Sequence, residues 1–439
     1  MIEKVIEGKA YVDGAFIECC IGVEEERIVA VKKVLKGEEN LRFKKGLILP
    51  AAIDVHVHFR EPGFPQKEDF STGTKAAAFG GVSCVLDMPN TKPSTTTSAS
   101  CRDKISIAER KAYIDFGIYA GVTKENLEQL FDISKVASAF KVYLGGSTNT
   151  EAFNMDLLKV LASKTLEKVF AFHAEDEKCL SMKRIKENNL RDHAISRPSE
   201  CEKKAVKEIL RVFSKSTNHR VHLCHVSSAA TMSDLINKPE WVTVGVTPHH
   251  LLLTSKDNLT FKETYYKVNP PLRNPVDRNS LWDGIIKGTI DVLESDHAPH
   301  TVEEKEQEFE KAPNGVPGVE TMLPLMLYQF IKRDIPISRL ISLACEKPAE
   351  TFGINKGKIE QGRDADFIVV DLKNIISIKS EELHSRCGWT PFEGFPAVFP
   401  KDVFVRGTRI IEDREFHGES GFGRFIGGKW KCLNNCRSG

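Results

Sequence analysis

No stretch of this chain approaches the roughly 18 consecutive apolar residues that cross a bilayer as a helix, so a membrane-spanning architecture is not expected. An excess of charge of either sign is also missing: 62 Lys and Arg stand against 61 Asp and Glu. That balance gives no electrostatic reason to expect nucleic acid or an anionic membrane as a partner. None of the eleven cysteines forms a CxxC pair, and the nearest approach is Cys432 and Cys436 in a polar tail. An odd, scattered set of this kind fits free thiols in a reducing cytoplasm. The opening MIEKVIEGKAYVDG carries charges where a signal peptide needs an apolar run, so a cytoplasmic location is expected. No internal repeat is visible.

What is present is the composition of a globular protein, with 41% hydrophobic and 28% charged residues. At 439 residues the chain is long for one ordinary domain and fits two or three, or one large barrel with an appendage. Residues 1–48 read as short alternating strands, among them Lys9 to Asp13, Phe16 to Ile21 and Arg27 to Val31. From residue 49 to 354 short apolar runs alternate with longer amphipathic segments. The runs end at Val55, Leu86, Tyr119, Val142, Phe172, Cys224, Val246 and Leu293, with helices expected over Asp69 to Phe79, Asp103 to Lys111 and Ser199 to Lys215. Strands and helices in that alternation predict an α/β fold, a (β/α)8 barrel. From 355 to 425 strand patterns return, at Asp366 to Asp371, Ala397 to Phe399 and Val403 to Arg406. The N- and C-terminal segments are expected to pair into one small β-sandwich domain beside the barrel, followed by a polar tail over 426–439, frayed from Lys429 to Gly439.

In such a barrel the chemistry sits at the C-terminal ends of the strands. The first run reads Ile53-Asp-Val-His-Val-His-Phe-Arg. Residues two apart on a strand share a face, so His56 and His58 converge and Arg60 follows them. The pair is either a metal site or two exposed strand histidines. Lys141 lies among apolar neighbours in Ala139-Phe-Lys-Val-Tyr, where an ammonium is costly to bury. It either reaches a carboxylate or solvent, or has taken up carbon dioxide to become an anionic carbamate. His173 ends the fifth run. His222 and His225 in the sixth have opposite parity, and His225 lies nearer the strand end. For each lone histidine a structural role competes with a ligand role. Asp296 ends the eighth run and can serve as metal ligand, general base or both. Together these residues suit Zn²⁺ best, with other divalent ions as the alternative. Four imidazoles and two anions exceed one tetrahedral ion, so two ions about 3.5–4 Å apart are expected, bridged by the Lys141 carbamate and a hydroxide. The charged segment TVEEKEQEFEK, residues 301–311, is either a solvated loop or short exposed helix, or a lid.

On these residues the chain resembles the amidohydrolase superfamily, and within it the dihydroorotases of the longer, barrel-plus-β-domain type. The resemblance runs from Leu49-Pro-Ala-Ala-Ile-Asp-Val-His-Val-His-Phe-Arg-Glu-Pro-Gly to Gly362-Arg-Asp-Ala-Asp-Phe. It implies that His56 and His58 bind metal, and that Arg60, Asn90 of Met88-Pro-Asn and His300 of Asp296-His-Ala-Pro-His hold the substrate carboxylate. It further implies that Asn269 of Val268-Asn-Pro-Pro-Leu-Arg and the loop around Gly315 meet the ring. Asn314 and Pro317 depart from the apolar pattern of that loop. Hydantoinases and dihydropyrimidinases share the fold and metal site but lack the arginine of HxHxR, and allantoinases differ there too. The implied reaction is reversible hydrolysis of dihydroorotate to N-carbamoyl-L-aspartate, with Asp296 as proton shuttle. The implied partners are that small molecule, further copies of the chain, and aspartate transcarbamoylase. A non-catalytic scaffold of the same fold is the competing reading, and the intact ligand set argues against it.

Overall fold

The structure, a computed structural model, describes residues 2–146, 151–164, 166–215, 220–257 and 259–427. All eight apolar runs become strands of one parallel ladder: β5 (Ala52–Val57), β6 (Val82–Asp87), β7 (Asp115–Gly121), β8 (Ala139–Tyr143), β9 (Val169–His173), β10 (Arg220–Leu223), β11 (Val242–Val246) and β12 (Val292–Leu293). The ladder closes toward a barrel where Val57 bridges His297 and His58 N donates to His297 O at 2.7 Å. Every residue of β5 to β9 is buried, as expected of parallel strands covered on both faces. Alternation sorts their side chains. In β8, Phe140 and Val142 join the core shared with the helices, while Ala139 joins the barrel interior with Tyr119, Ala171 and Val292, floored by Phe352 and Ile354.

Helix starts follow capping chemistry more closely than hydrophobic pattern. Asp69 caps Phe70–Phe79 by accepting from Thr72 N, and Thr97 with Ser100 forms a capping box that starts the next helix at Ser98. The apolar period alone places that start at Asp103. The third expected helix runs Ser199–Phe213.

Before the barrel come β1 (Ile2–Val12), β2 (Ala15–Glu24), β3 (Arg27–Lys32) and β4 (Gly37–Pro50). After it come β13 (Phe367–Val370), β14 (Ile376–Ser377), β15 (Pro396–Ala397), β16 (Asp402–Val405), β17 (Thr408–Glu412) and β18 (Glu415–Phe416). The two ends of the chain do pair, through β13 against β4, in one mostly antiparallel ladder of order β18-β17-β16-β13-β4-β1-β2-β3. The run at Ala397 does not join it. β15 pairs only with β14, because Val398 N is bonded to Pro324 O on the helix Met322–Lys332.

Two other expectations change. Cys179 and Cys201 form a disulfide, whereas all cysteines were expected as free thiols. The segment after β9 is stitched to the first turn of Ser199–Phe213 by Asp176 N donating to Cys201 O, which brings the two Cα atoms to 5.5 Å despite a separation of 22 residues. The free cysteines among the described residues are all buried. At the C-terminus, Phe425 bridges Phe116 and Ile426 N donates to Phe116 O, so the chain is still anchored where the tail was expected to begin. The expectation for Lys429 to Gly439 lies outside the described residues. Among those described, no helix is long and apolar enough to cross a membrane.

The sheet is tied to the barrel by buried charge. Lys356, 1% exposed, lies 2.8 Å from Asp115 at the start of β7, 2.5 Å from Asp366 beside β13 and 3.2 Å from Asp364. Burial opposes the lysine charge, but Asp366 and Asp364 outweigh it and hold the pKa above its ordinary value. Replacing Lys356 with Met leaves these carboxylates short of a cation. It is expected to lower stability by about 3–5 kcal/mol, read as a fall in the urea midpoint. An unchanged midpoint would contradict the role assigned to this cluster.

Candidate active site

The strand ends converge on one cleft, lined by His56, His58, Arg60, Asn90, Lys141, Tyr143, His173, His225, Asn269, Asp296, Ala298, Asn314 and Gly315. Ten of the eleven residues singled out in the sequence are in that lining. The eleventh, His300, is fully buried behind Arg60, whose Nη2 lies 3.1 Å from His300 Nε2.

Asp296 Oδ1 stands 3.3 Å from His56 Nε2 and 3.1 Å from His58 Nε2. Lys141 Nζ is 3.5 Å from His56 Nε2 and donates to Cys224 Sγ at 3.1 Å. On the far side His173 Nδ1 and His225 Nε2 face each other at 3.3 Å. Each half of this cluster is braced from behind. His58 Nδ1 meets Asn90 Oδ1 at 2.6 Å, and His173 Nε2 meets Glu175 Oε2 at 2.7 Å, with Arg197 on the same carboxylate. Partners of this kind fix which imidazole nitrogen points inward.

Backbone strain does part of the aiming. Arg60, His225 and Asp296 all have positive φ, at 64°, 36° and 47°. Non-glycine residues rarely adopt that region, and it is concentrated at functional sites. At His225 it settles the parity question. The chain turns after β10, so His225 reaches the cleft while His222, still on the strand, is fully buried against Thr243 and Glu294.

Three supporting residues were not singled out from sequence. Glu294 Oε1 accepts from His225 N at 2.5 Å, and Oε2 lies 3.0 Å from His222 Nε2 and 3.5 Å from His56 Nδ1. Gly245 on the neighbouring strand makes room for it, since a Cβ there would collide with Glu294 Oε1. Tyr143 and Glu294 could both have been found by the alternation that linked Arg60 to His58, being two residues after Lys141 and two before Asp296. Glu175 had no such signal.

The residues fit a divalent cation. His56, His58 and Asp296 offer ligand atoms all within 4.8 Å of one another. Burial holds His56 well below its ordinary pKa; burial, then His173, does the same for His225. Both are therefore neutral imidazoles at pH 7, the form that ligates metal. Burial works to raise Asp296, but the hydrogen bond and charge of His58 hold it below the usual value, so it is ionised. Lys141 is 0% exposed, and among the described residues its amine has no carboxylate within ion-pair distance.

At the other end of the cleft Arg60 is 3% exposed, with Nε donating to Pro299 O at 3.2 Å. Burial lowers its pKa to about 10, which leaves it cationic at neutrality. Burial and then the Arg60 charge keep His300 well below its ordinary pKa. Asn269 Oδ1 is buried without a hydrogen-bond partner among the described residues. Gly315, at φ 136°, passes so close to Ala298 that a Cβ would sit 2.8 Å from the Ala298 Cβ. The charged segment 301–311 is mostly exposed and contains the short helix Val302–Lys305, and it is fastened at a few buried points. Lys305, fully buried, donates to Thr264 O at 3.0 Å and Pro313 O at 2.9 Å, Lys267 donates to Phe309 O at 2.8 Å, and Glu304 pairs with Lys67 at 2.6 Å.

The family model described as "Amidohydrolase family" matches residues 47–410. The chain belongs to the amidohydrolase family. Within that family, the dihydroorotase of Methanosarcina acetivorans is 40% identical over 407 residues, 88% of this chain and 86% of that protein. The dihydroorotase of Thermoplasma acidophilum is 38% identical over 418 residues, 94% and 96% of the two chains. Among solved structures, the L-hydantoinase (dihydropyrimidinase) from Arthrobacter aurescens matches with a TM-score of 0.92 at 27% identity, covering 97% of this chain and 99% of that one. A D-hydantoinase from Bacillus sp. AR9 matches at 0.88 and 26% identity, covering 97% and 99%.

Proposed function

We propose that this amidohydrolase is a dihydroorotase, a cyclic-amide hydrolase that interconverts dihydroorotate and N-carbamoyl-L-aspartate in pyrimidine synthesis. The observation that carries the reading is Arg60: a buried cation sharing one cleft with the His56, His58 and Asp296 cluster. A ring that bears a carboxylate needs such a partner, and the planar guanidinium matches a carboxylate in two hydrogen bonds. The relatives named dihydroorotase support it.

In this reading His56, His58, Lys141, His173, His225 and Asp296 would hold two Zn²⁺ ions, with Lys141 contributing as a carbamate. An anionic lysine accounts for a fully buried side chain that has no carboxylate partner among the described residues. When bound, the ions polarise the ring carbonyl and lower the pKa of water. Asp296, ionised, takes the proton from the attacking water and returns it to the ring nitrogen as the amide bond breaks. Arg60 and Asn90 hold the carboxylate, while His300 keeps the Arg60 guanidinium in place from behind. Asn269 Oδ1 accepts from a ring N–H, and the backbone at Gly315 lies against the ring. These contacts fix the reacting geometry. A cytoplasmic location, self-association and association with aspartate transcarbamoylase belong to the same reading; co-elution of the two proteins in gel filtration tests the last.

The test is a substrate panel. Dihydroorotate is expected to be opened at least about 100-fold more efficiently than dihydrouracil or hydantoin, as a charge-assisted pair of about 3 kcal/mol requires. The hydantoinase-like fold neighbours make the other outcome concrete: faster turnover of the uncharged rings would assign the protein to that activity.

A further inference from the structure

One polar group of the cleft has no part in the chemistry above. Tyr143 ends β8, two residues beyond Lys141 and on the same face, and it lines the cleft. Its ring lies 5.2 Å from Lys141 Nζ and its centroid is 6.2 Å from that of His173. The residue is 8% exposed, and its hydroxyl is buried with no hydrogen-bond partner among the described residues.

A buried phenol normally finds a partner, and leaving one unpaired costs about 1–3 kcal/mol. Phenylalanine would fill the same space without that penalty. The hydroxyl is therefore set for a group that enters the cleft. A phenol is protonated at neutral pH, so it offers a hydrogen-bond donor rather than a base. Its place beside Lys141 and His173 is at the end of the cleft where the amide is broken, while Arg60 already provides for the carboxylate.

We propose that Tyr143 is a catalytic residue whose hydroxyl donates a hydrogen bond to the oxygen of the ring carbonyl under attack. Negative charge builds on that oxygen as the tetrahedral intermediate forms, so the bond strengthens in the transition state, which is the condition for raising kcat rather than only lowering KM. No proton is transferred, and the hydroxyl keeps its hydrogen throughout.

The inference rests on the reading of the site as a cyclic-amide hydrolase, and Tyr143→Phe tests it separately. The variant keeps the ring and sheds an unpaired hydroxyl, so it is expected to fold with an unchanged or higher melting temperature and the wild-type metal content. Its kcat is expected to fall about 100-fold, the size of effect seen when one such donor is removed, with KM within about threefold. Wild-type kcat would overturn the proposal, as would a rise in KM at unchanged kcat, which would place the hydroxyl on a non-reacting part of the ring. The comparison is made on whichever cyclic amide the wild type opens. Failure of the wild type on dihydroorotate counts against the substrate assignment, whereas equality of variant and wild type counts against Tyr143.

Discussion

Asp296→Ala is expected to lower kcat for dihydroorotate by about 10³- to 10⁴-fold. General acid–base groups contribute about 10²–10⁴ each, and here one carboxylate serves both proton steps, first as base and then as acid. Asp296 can do so because His58 holds it ionised in spite of burial. Metal content is expected to survive largely intact, since His56, His58, Lys141, His173 and His225 remain. Turnover and metal must therefore be measured on one sample. A variant within tenfold of wild type, with its metal in place, would remove Asp296 from the proton path.

Arg60→Met is expected to lower kcat/KM for dihydroorotate by about 10- to 150-fold, the range for losing a charge-assisted pair of about 1.5–3 kcal/mol. For dihydrouracil, which has no ring carboxylate, the change is expected to stay within about threefold. Methionine preserves the length of the stem, and both residues meet the same backbone demand at φ 64°. The ratio between the two substrates is thus the informative quantity. Equal losses on both would mean that Arg60 supports the cleft as a whole rather than gripping the carboxylate.

Much of this site was legible before any coordinates, for a specific reason. Barrel strands buried on both faces must be apolar runs, so a polar residue at the end of such a run stands out; His56, Lys141, His173 and Asp296 were read that way and all reach the cleft. Alternation then extended the set to His58 and Arg60, and applied once more it would have reached Tyr143 and Glu294. What alternation could not supply is the path of the chain after the strand ends. The inward aim of His225 depends on a positive φ beyond β10. His300 lies behind Arg60 because the loop after β12 folds back, with Trp389 Nε1 bonded to His300 O at 2.8 Å. The Cys179–Cys201 bond depends on packing between segments 22 residues apart, and the departure of β15 from the large sheet depends on a helix that covers it. In each case the deciding interaction is tertiary.

The most direct test of the account is hydrolysis of dihydroorotate, with bound metal quantified on the same preparation. The account predicts two divalent ions per chain and turnover that disappears with chelation, returns with Zn²⁺ and exceeds that of dihydrouracil by at least about 100-fold, as expected if Arg60 grips the ring carboxylate. Fully metallated protein that leaves dihydroorotate untouched, or that opens dihydrouracil equally well, would contradict it.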